Sequence, residues 1–375
     1  MIRFAGILAA GLRHRGYSAE IVAPRPVVRA RSRRGNGLQK WLAYVDKWLL
    51  FPATLRRLVQ QRERQFSGAV HYHVCDHSNA PYLARLPENR TAITCHDVLA
   101  IRGALGYPES YCAASRTGVV LQRWILKHLA AAPRIACVSQ QTLSHLCELA
   151  AERKPKPNWQ VLHNAFNAEF KKVETPAALS LLEQQGISLP RPFLLHVGSN
   201  LPRKNRRLLL QMLARDARPD PVHVCFTGQP ADALLLNEAR TLGLDDRIHS
   251  VAKPSHETLC ALYSVAHVLV FPSLSEGFGW PVIEAQACGL PVIASDLAPL
   301  PEVSGGAALH ADPHRPAAFI AALRSLDDPA VWISLVERGL QNAGRFDLPT
   351  MINGYLALHG LNGAAKVPAT ESLCC

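Results

Sequence analysis

The chain has 375 residues, 48% hydrophobic side chains, ten cysteines and a formal net charge of +12. That length calls for one very large or two ordinary domains. No apolar run reaches the roughly 18–20 residues that span a bilayer. Arg13, His14 and Arg15 interrupt the N-terminal apolar stretch too early for a signal peptide. The cysteines form no CxxC pair, which argues against a zinc site and fits a reducing cytosol.

The charge is uneven. Residues 1–165 carry 24 Lys/Arg against 9 Asp/Glu, +15, and residues 166–375 carry 17 against 20, −3. A basic half suits an anionic partner, whether a membrane surface, a phosphorylated acceptor or nucleic acid; a merely solvated basic surface fits equally well.

In chain order, residues 1–12 read as a helix with Ala5, Leu8, Ala9 and Leu12 on one face, and residues 18–23 as a strand. Residues 29–34 read as a basic loop from the sequence. Leu38, Trp41, Leu42, Val45, Trp48 and Leu49 recur at helical spacing, and Pro52 is expected to end or kink that helix. Packing of this apolar stripe on the domain is the preferred reading. Two Trp rings with flanking arginines would also suit a helix lying on anionic lipid. Strands follow at 70–74, 92–95, 135–138 and 160–162, with a helix at 121–129, and Ser139 is placed to cap a helix. Residues 167–190 read as an inter-domain connection.

A second series then begins, with strands at 193–197, 222–226, 248–251 and 268–271 and helices at 206–213, 231–242 and 256–265. The most informative stretch is 268–296. Its strand leads to a loop with Glu276 and two glycines, then to a helix opened by Pro281, carrying Glu284 and stopped by Gly289, then to a strand at 291–294. Helix follows from 327 and again at 349–358, and Cys374-Cys375 read as a featureless tail. Alternation in two blocks predicts an α/β protein with two doubly wound, Rossmann-like parallel sheets.

In such sheets ligands bind beyond the carboxyl ends of the strands. The residues found there are His96, Asn164, Gly198, Thr227-Gly228 and Glu276. Gly198 lets the backbone come close to a ligand, Arg203 offers a fork for a diphosphate, and Lys204 offers a point charge. No Asp-x-Asp occurs, which counts against a divalent metal at the diphosphate. Glu276 and Glu284 suit sugar hydroxyls. His96 is a candidate contact to the reacting sugar, and general-base action is a weaker expectation.

Glu276-x7-Glu284 within SEGFGWPVIEAQACGLPVIAS, with HVGSNLPRKN (196–205), FTG (226–228), TCHD (94–97), CVSQQT (137–142) and LHNAF (162–166), resembles glycosyltransferase family 4, retaining enzymes of the GT-B fold. The likeness covers most of residues 1–360. It implies an acceptor-side domain at 1–165, a nucleotide-sugar domain at 190–340, and a terminal helix at 341–360 that crosses back to the first. By motif, Glu276 would touch the donor hexose and Glu284 the ribose. Arg203 and Lys204 would hold the diphosphate, and His96 would lie near the transferred sugar. Gly198, Gly228, Gly277, Phe278 and Gly279 complete the expected donor site. The expected partners are a UDP-, GDP- or ADP-sugar, a glycan or lipid-linked acceptor and an anionic membrane surface, with no nucleic acid and no cofactor. The expected location is cytoplasmic, with attachment to the cytoplasmic membrane face as an extension.

Three departures stand out. Ser199 replaces the usual Arg after the clamp glycine, and Asn164-Ala165 replaces Asn-Gly. The first strand and Gly-Gly loop that normally precede the opening helix are not found, so the chain as written is expected to be impaired. The rival readings are a sugar-nucleotide epimerase and a non-catalytic or inactive nucleotide-sugar-binding homologue.

Overall fold

The computed structural model describes residues 2–25, 42–216, 218, 221–361 and 371–374. Its strands are β1 (Ser18–Ile21), β2 (His71–Val74), β3 (Thr91–Cys95), β4 (Ile135–Cys137), β5 (Trp159–Val161), β6 (Phe193–Gly198), β7 (His223–Gly228), β8 (Ile248–Ala252), β9 (Val268–Phe271), β10 (Val292–Ser295), β11 (Leu309–Ala311) and β12 (Glu371–Cys374). They form two six-stranded sheets, ordered β1-β12-β2-β3-β4-β5 and β11-β10-β9-β6-β7-β8. Every pairing is parallel. This is the GT-B architecture expected from the sequence. Parallel strands covered on both faces are apolar along their length rather than alternating; Val268 to Phe271 and Val292 to Ala294 are accordingly all buried.

In the second sheet β6 runs on to β7 and β8 on one side, while β9 to β11 build outward on the other. The strand order therefore reverses between β6 and β9. That reversal opens a crevice at the carboxyl ends of those two strands, where Gly198 and the Glu276 loop begin.

Several local expectations need correction. The helix expected at 38–49 falls partly outside the described residues; 42–50 are helical and run directly into the helix Phe51–Phe66, with Pro52 in its first turn. The residues just before it, Asp46–Leu50, are wound as a π-helix, so the proline falls where the helix changes its winding rather than at a free end. Trp48 packs against Tyr82 and Trp124, at ring separations of 5.4 and 5.0 Å. The 167–190 connection contains the helix Thr175–Gln184, whose Ala178 and Leu182 enter the core of the second domain. The strand β11 and the helix Pro316–Ser325 were not expected. Nor was β12: the tail expected to be featureless pairs along its backbone with β1 and β2, in the interior of the first sheet.

The helix Leu348–Leu358 lies on the first domain beside the opening helix Ile2–His14, and Ile352, Tyr355 and Leu356 share a core with Phe4, Leu8 and Ala9. Tyr355 and Thr94 share a 3.0 Å hydrogen bond, and Thr94 and His73 one of 2.8 Å. His73 also meets His359 at 3.2 Å. Burial pushes His73 down to about 3 and lowers His359 as well, so this junction is made by neutral imidazoles.

Candidate active site

The clamp leaves β6 at Gly198 and makes one tight turn, Pro202–Lys204. Asn205 then takes a left-handed conformation (φ 52°) before the helix Arg206–Arg215. The Asn205 amide donates to the carbonyls of Pro272 (3.2 Å) and Pro313 (2.8 Å), and the Leu274 N–H donates to the Arg203 carbonyl at 2.7 Å. The clamp is thus sewn to the loop after β9, and its two cations are brought onto that loop. Arg203 donates to Glu276 Oε2 at 2.8 Å and to the Ser275 carbonyl at 2.9 Å, while Lys204 Nζ ion-pairs with Glu276 Oε1. Glu276 and Lys204 are both buried. Burial alone would raise the Glu276 pKa, but Lys204 and Arg203 hold it below the usual range. Burial lowers Lys204, against the pull of Glu276. The three side chains form one charged unit carrying an excess positive charge.

The glycines around this unit divide into two kinds. At Gly228 (φ 104°) a side chain would lie 2.8 Å from the Gly198 carbonyl, so the ends of β6 and β7 can touch only without one. At Gly279 (φ 108°) it would meet Leu300 at 2.6 Å. Gly277 instead marks where the two domains meet. A Cβ there would collide with the His96 carbonyl oxygen and lie 2.8 Å from the Asp97 Cβ. Ser139 Oγ donates to the Gly277 carbonyl at 2.8 Å, and Thr142 Oγ1 donates to it at 3.3 Å. Glu276 therefore sits one residue from the contact with the first domain.

His96 is buried, with Nε2 3.1 Å from the Cys75 carbonyl and its ring edge-on to Phe4 at 4.7 Å. Burial brings its pKa down to about 4. It is a neutral, well-held imidazole, better suited to positioning than to taking up a proton.

Two expected donor contacts are not drawn into the charged cluster. The Phe278 ring packs between His163, Trp280 and Phe346. Glu284 accepts a 2.9 Å hydrogen bond from Tyr263 and is buried, and burial raises its pKa to about 7. A raised folded-state pKa favours the protonated native form, so this group's contribution to stability is full below about pH 4.5 and is lost as pH rises through about 7. Glu284→Gln imitates the protonated acid. The difference in melting temperature between this variant and the unmodified protein should therefore move in the variant's favour across that window. A constant difference would refute the buried, titrating carboxyl.

Sequence reasoning missed Arg206. Its side chain is buried against Phe226 and donates to the carbonyls of Gly198 (2.8 Å) and Gln229 (2.9 Å) and to Asn200 Oδ1. It locks together the two loops that carry Gly198 and Gly228. Its place directly after Lys204-Asn205 was the available signal, but a helix-opening arginine ordinarily faces solvent. Glu302 was also missed; it accepts from the Gln140 N–H at 2.9 Å and meets His163 at 2.8 Å, again across the domains. Among the described residues no group of three or more His, Cys, Asp or Glu is placed to hold a metal ion.

Residues 180–329, within the second domain, match the family model described as glycosyl transferases group 1. O-antigen chain mannosyltransferase B of Escherichia coli is 36% identical over 159 residues, 41% of this chain and 42% of that protein. D-inositol 3-phosphate glycosyltransferase of Corynebacterium kroppenstedtii is 30% identical over 198 residues, 50% of this chain and 44% of that protein. The chain thus spans less than half the length of these two curated relatives. Among solved structures, sucrose-phosphate synthase from Thermosynechococcus elongatus superposes with a TM-score of 0.68 at 20% identity, covering 94% of this chain and 91% of that one. The Anabaena protein HepE in complex with UDP-glucose gives 0.68 at 18% identity, covering 96% of both chains. These likenesses establish the fold over nearly the whole chain.

Proposed function

We propose that the protein is a retaining glycosyltransferase that moves a hexose from a nucleotide-diphosphate sugar to a saccharide or lipid-linked acceptor. The observation that carries this reading is the convergence of Arg203 and Lys204 on Glu276, beside the point where Gly277 rests on His96. A donor diphosphate would take over the two cations, which would neutralise the charge that grows on the leaving group. Glu276, released from them, would accept hydrogen bonds from the hydroxyls of the hexose. Glu284 would serve the ribose, and the neutral His96 would border the transferred sugar from the other domain. The acceptor would attack from the face the leaving group vacates, with the departing phosphate assisting removal of its proton. The relatives named as a mannosyltransferase and a D-inositol 3-phosphate glycosyltransferase support sugar transfer, and the HepE complex with UDP-glucose supports a nucleotide-sugar donor.

A thermal-shift screen of UDP, GDP, ADP and their sugars tests this, since a ligand at about 100 times its Kd stabilises the native state by about 2.7 kcal/mol. One nucleotide sugar should raise the melting temperature, and Arg203→Ala should reduce that shift. No shift with any of them would remove the basis of the proposal. Product analysis then separates transfer to an acceptor from an epimerised donor.

A further inference from the structure

One face of the first domain takes no part in the donor chemistry. On the helix Arg116–Ala130, the exposed side chains Arg116, Val120, Arg123, Trp124 and Lys127 recur at three- and four-residue spacing, while Ile125 and Leu129 turn to the core. The turn beside it brings Trp48 onto Trp124 and leaves Leu49 and Leu50 exposed; Leu49 and Val120 are each 69% accessible. Arg56, Arg57 and Arg64 are exposed along the adjoining helix Phe51–Phe66.

The acidic residues nearby do not offset these cations. Glu63 is paired with Arg90, and the helix Arg116–Ala130 contains neither Asp nor Glu. Exposed apolar side chains scattered singly are ordinary, but here they cluster around a tryptophan inside a ring of cations. That combination matches a surface with apolar depth beneath negative headgroups. A nucleic acid would use the cations and gain nothing from Leu49 or Val120.

We infer that this face docks on an anionic lipid surface. Leu49, Leu50, Val120 and Trp124 enter the boundary between headgroups and acyl chains, and the arginines and Lys127 meet lipid phosphates. An open pocket of about 560 Å³, lined by Tyr44, Trp48, Cys112, Ser115, Thr117 and Leu121, adjoins the same face. On the transferase reading, and only on it, an acceptor carried in the bilayer would enter there.

Co-sedimentation of the full chain with vesicles tests the docking without any activity measurement. Binding is expected to phosphatidylglycerol–phosphatidylcholine vesicles at low ionic strength, and not to phosphatidylcholine alone. Arg116→Gln, Arg123→Gln and Lys127→Gln together should weaken it roughly a hundredfold. Leu49→Glu with Val120→Glu should abolish it while leaving the melting temperature and any nucleotide-sugar shift unchanged. Equal binding to neutral vesicles, no binding to either, unaltered binding of the Leu49/Val120 variant, or preferential binding to duplex DNA would each overturn the inference. Because nucleotide-sugar shifts are read separately, failure of the docking and failure of the transferase reading are distinguishable.

Discussion

Glu276→Gln should destabilise the unliganded protein by about 3–5 kcal/mol, since it leaves Lys204 and Arg203 in a buried position without their anion. The same change should tighten the binding of nucleoside diphosphate. In the unmodified protein a diphosphate has to displace a carboxylate that already holds both cations; in the variant the cations are free. Transfer should nevertheless fall by about a hundredfold to a thousandfold, the cost of losing one well-placed polar contact to the reacting sugar. Stronger product binding with weaker catalysis is a signature that general misfolding cannot produce. A second measurement isolates the pair. Lys204→Met leaves Glu276 with Arg203 alone, and adding Glu276→Gln to Lys204→Met should be less harmful than the sum of the single changes. Chemical denaturation of the four proteins gives the coupling, and calorimetry with UDP or GDP gives the affinity. Additive stabilities, or unchanged diphosphate binding by Glu276→Gln, would show that the three charges do not act as one unit.

The parts of this unit were legible in the sequence because each is marked locally. Gly198 ends an apolar strand, Arg203 and Lys204 precede a helix, and Glu276 opens a glycine-rich turn before a proline. Their contact was not legible, since Lys204 and Glu276 are 72 residues apart and meet only because the strand order reverses between β6 and β9. The role of Glu284 was read by motif, but its burial and its bond to Tyr263 depend on packing that spacing does not encode. Phe278 was drawn toward the donor by its neighbours in sequence; in the fold its ring is held between the domains by Phe346 and His163. Pro52 is expected to stop or kink a helix, but it sits where a π-helical turn passes into the helix Phe51–Phe66, a change of winding that periodicity does not reveal. The strand β12 is only four residues long and follows no recognisable pattern, so only the sheet into which it pairs identifies it.

The second large effect is expected at Gly277, where no charge is involved. A methyl group at this position collides with the His96 carbonyl oxygen and crowds the Asp97 Cβ, and both obstacles belong to the other domain. A flexible side chain could turn aside, but the carbonyl is fixed by the end of β3. Gly277→Ala must therefore push the loop away from the first domain, stretching the hydrogen bonds that the Gly277 carbonyl accepts from Ser139 and Thr142. The clamp lies wholly on the second domain, so nucleotide binding should survive. On the proposed mechanism His96 and Glu276 flank the same sugar, and a displacement of about 1 Å can cost about a hundredfold in rate. Ser139→Ala is the matched control. It removes the bond to the Gly277 carbonyl and the N-cap bond accepted from the Thr142 N–H, about 1 kcal/mol each, without adding an atom, and should slow transfer by less than about tenfold. The contrast is decisive in either direction: near-normal transfer by Gly277→Ala would mean that the reaction does not need the contact between Gly277 and His96, and the acceptor side of the site would then have to be sought away from His96.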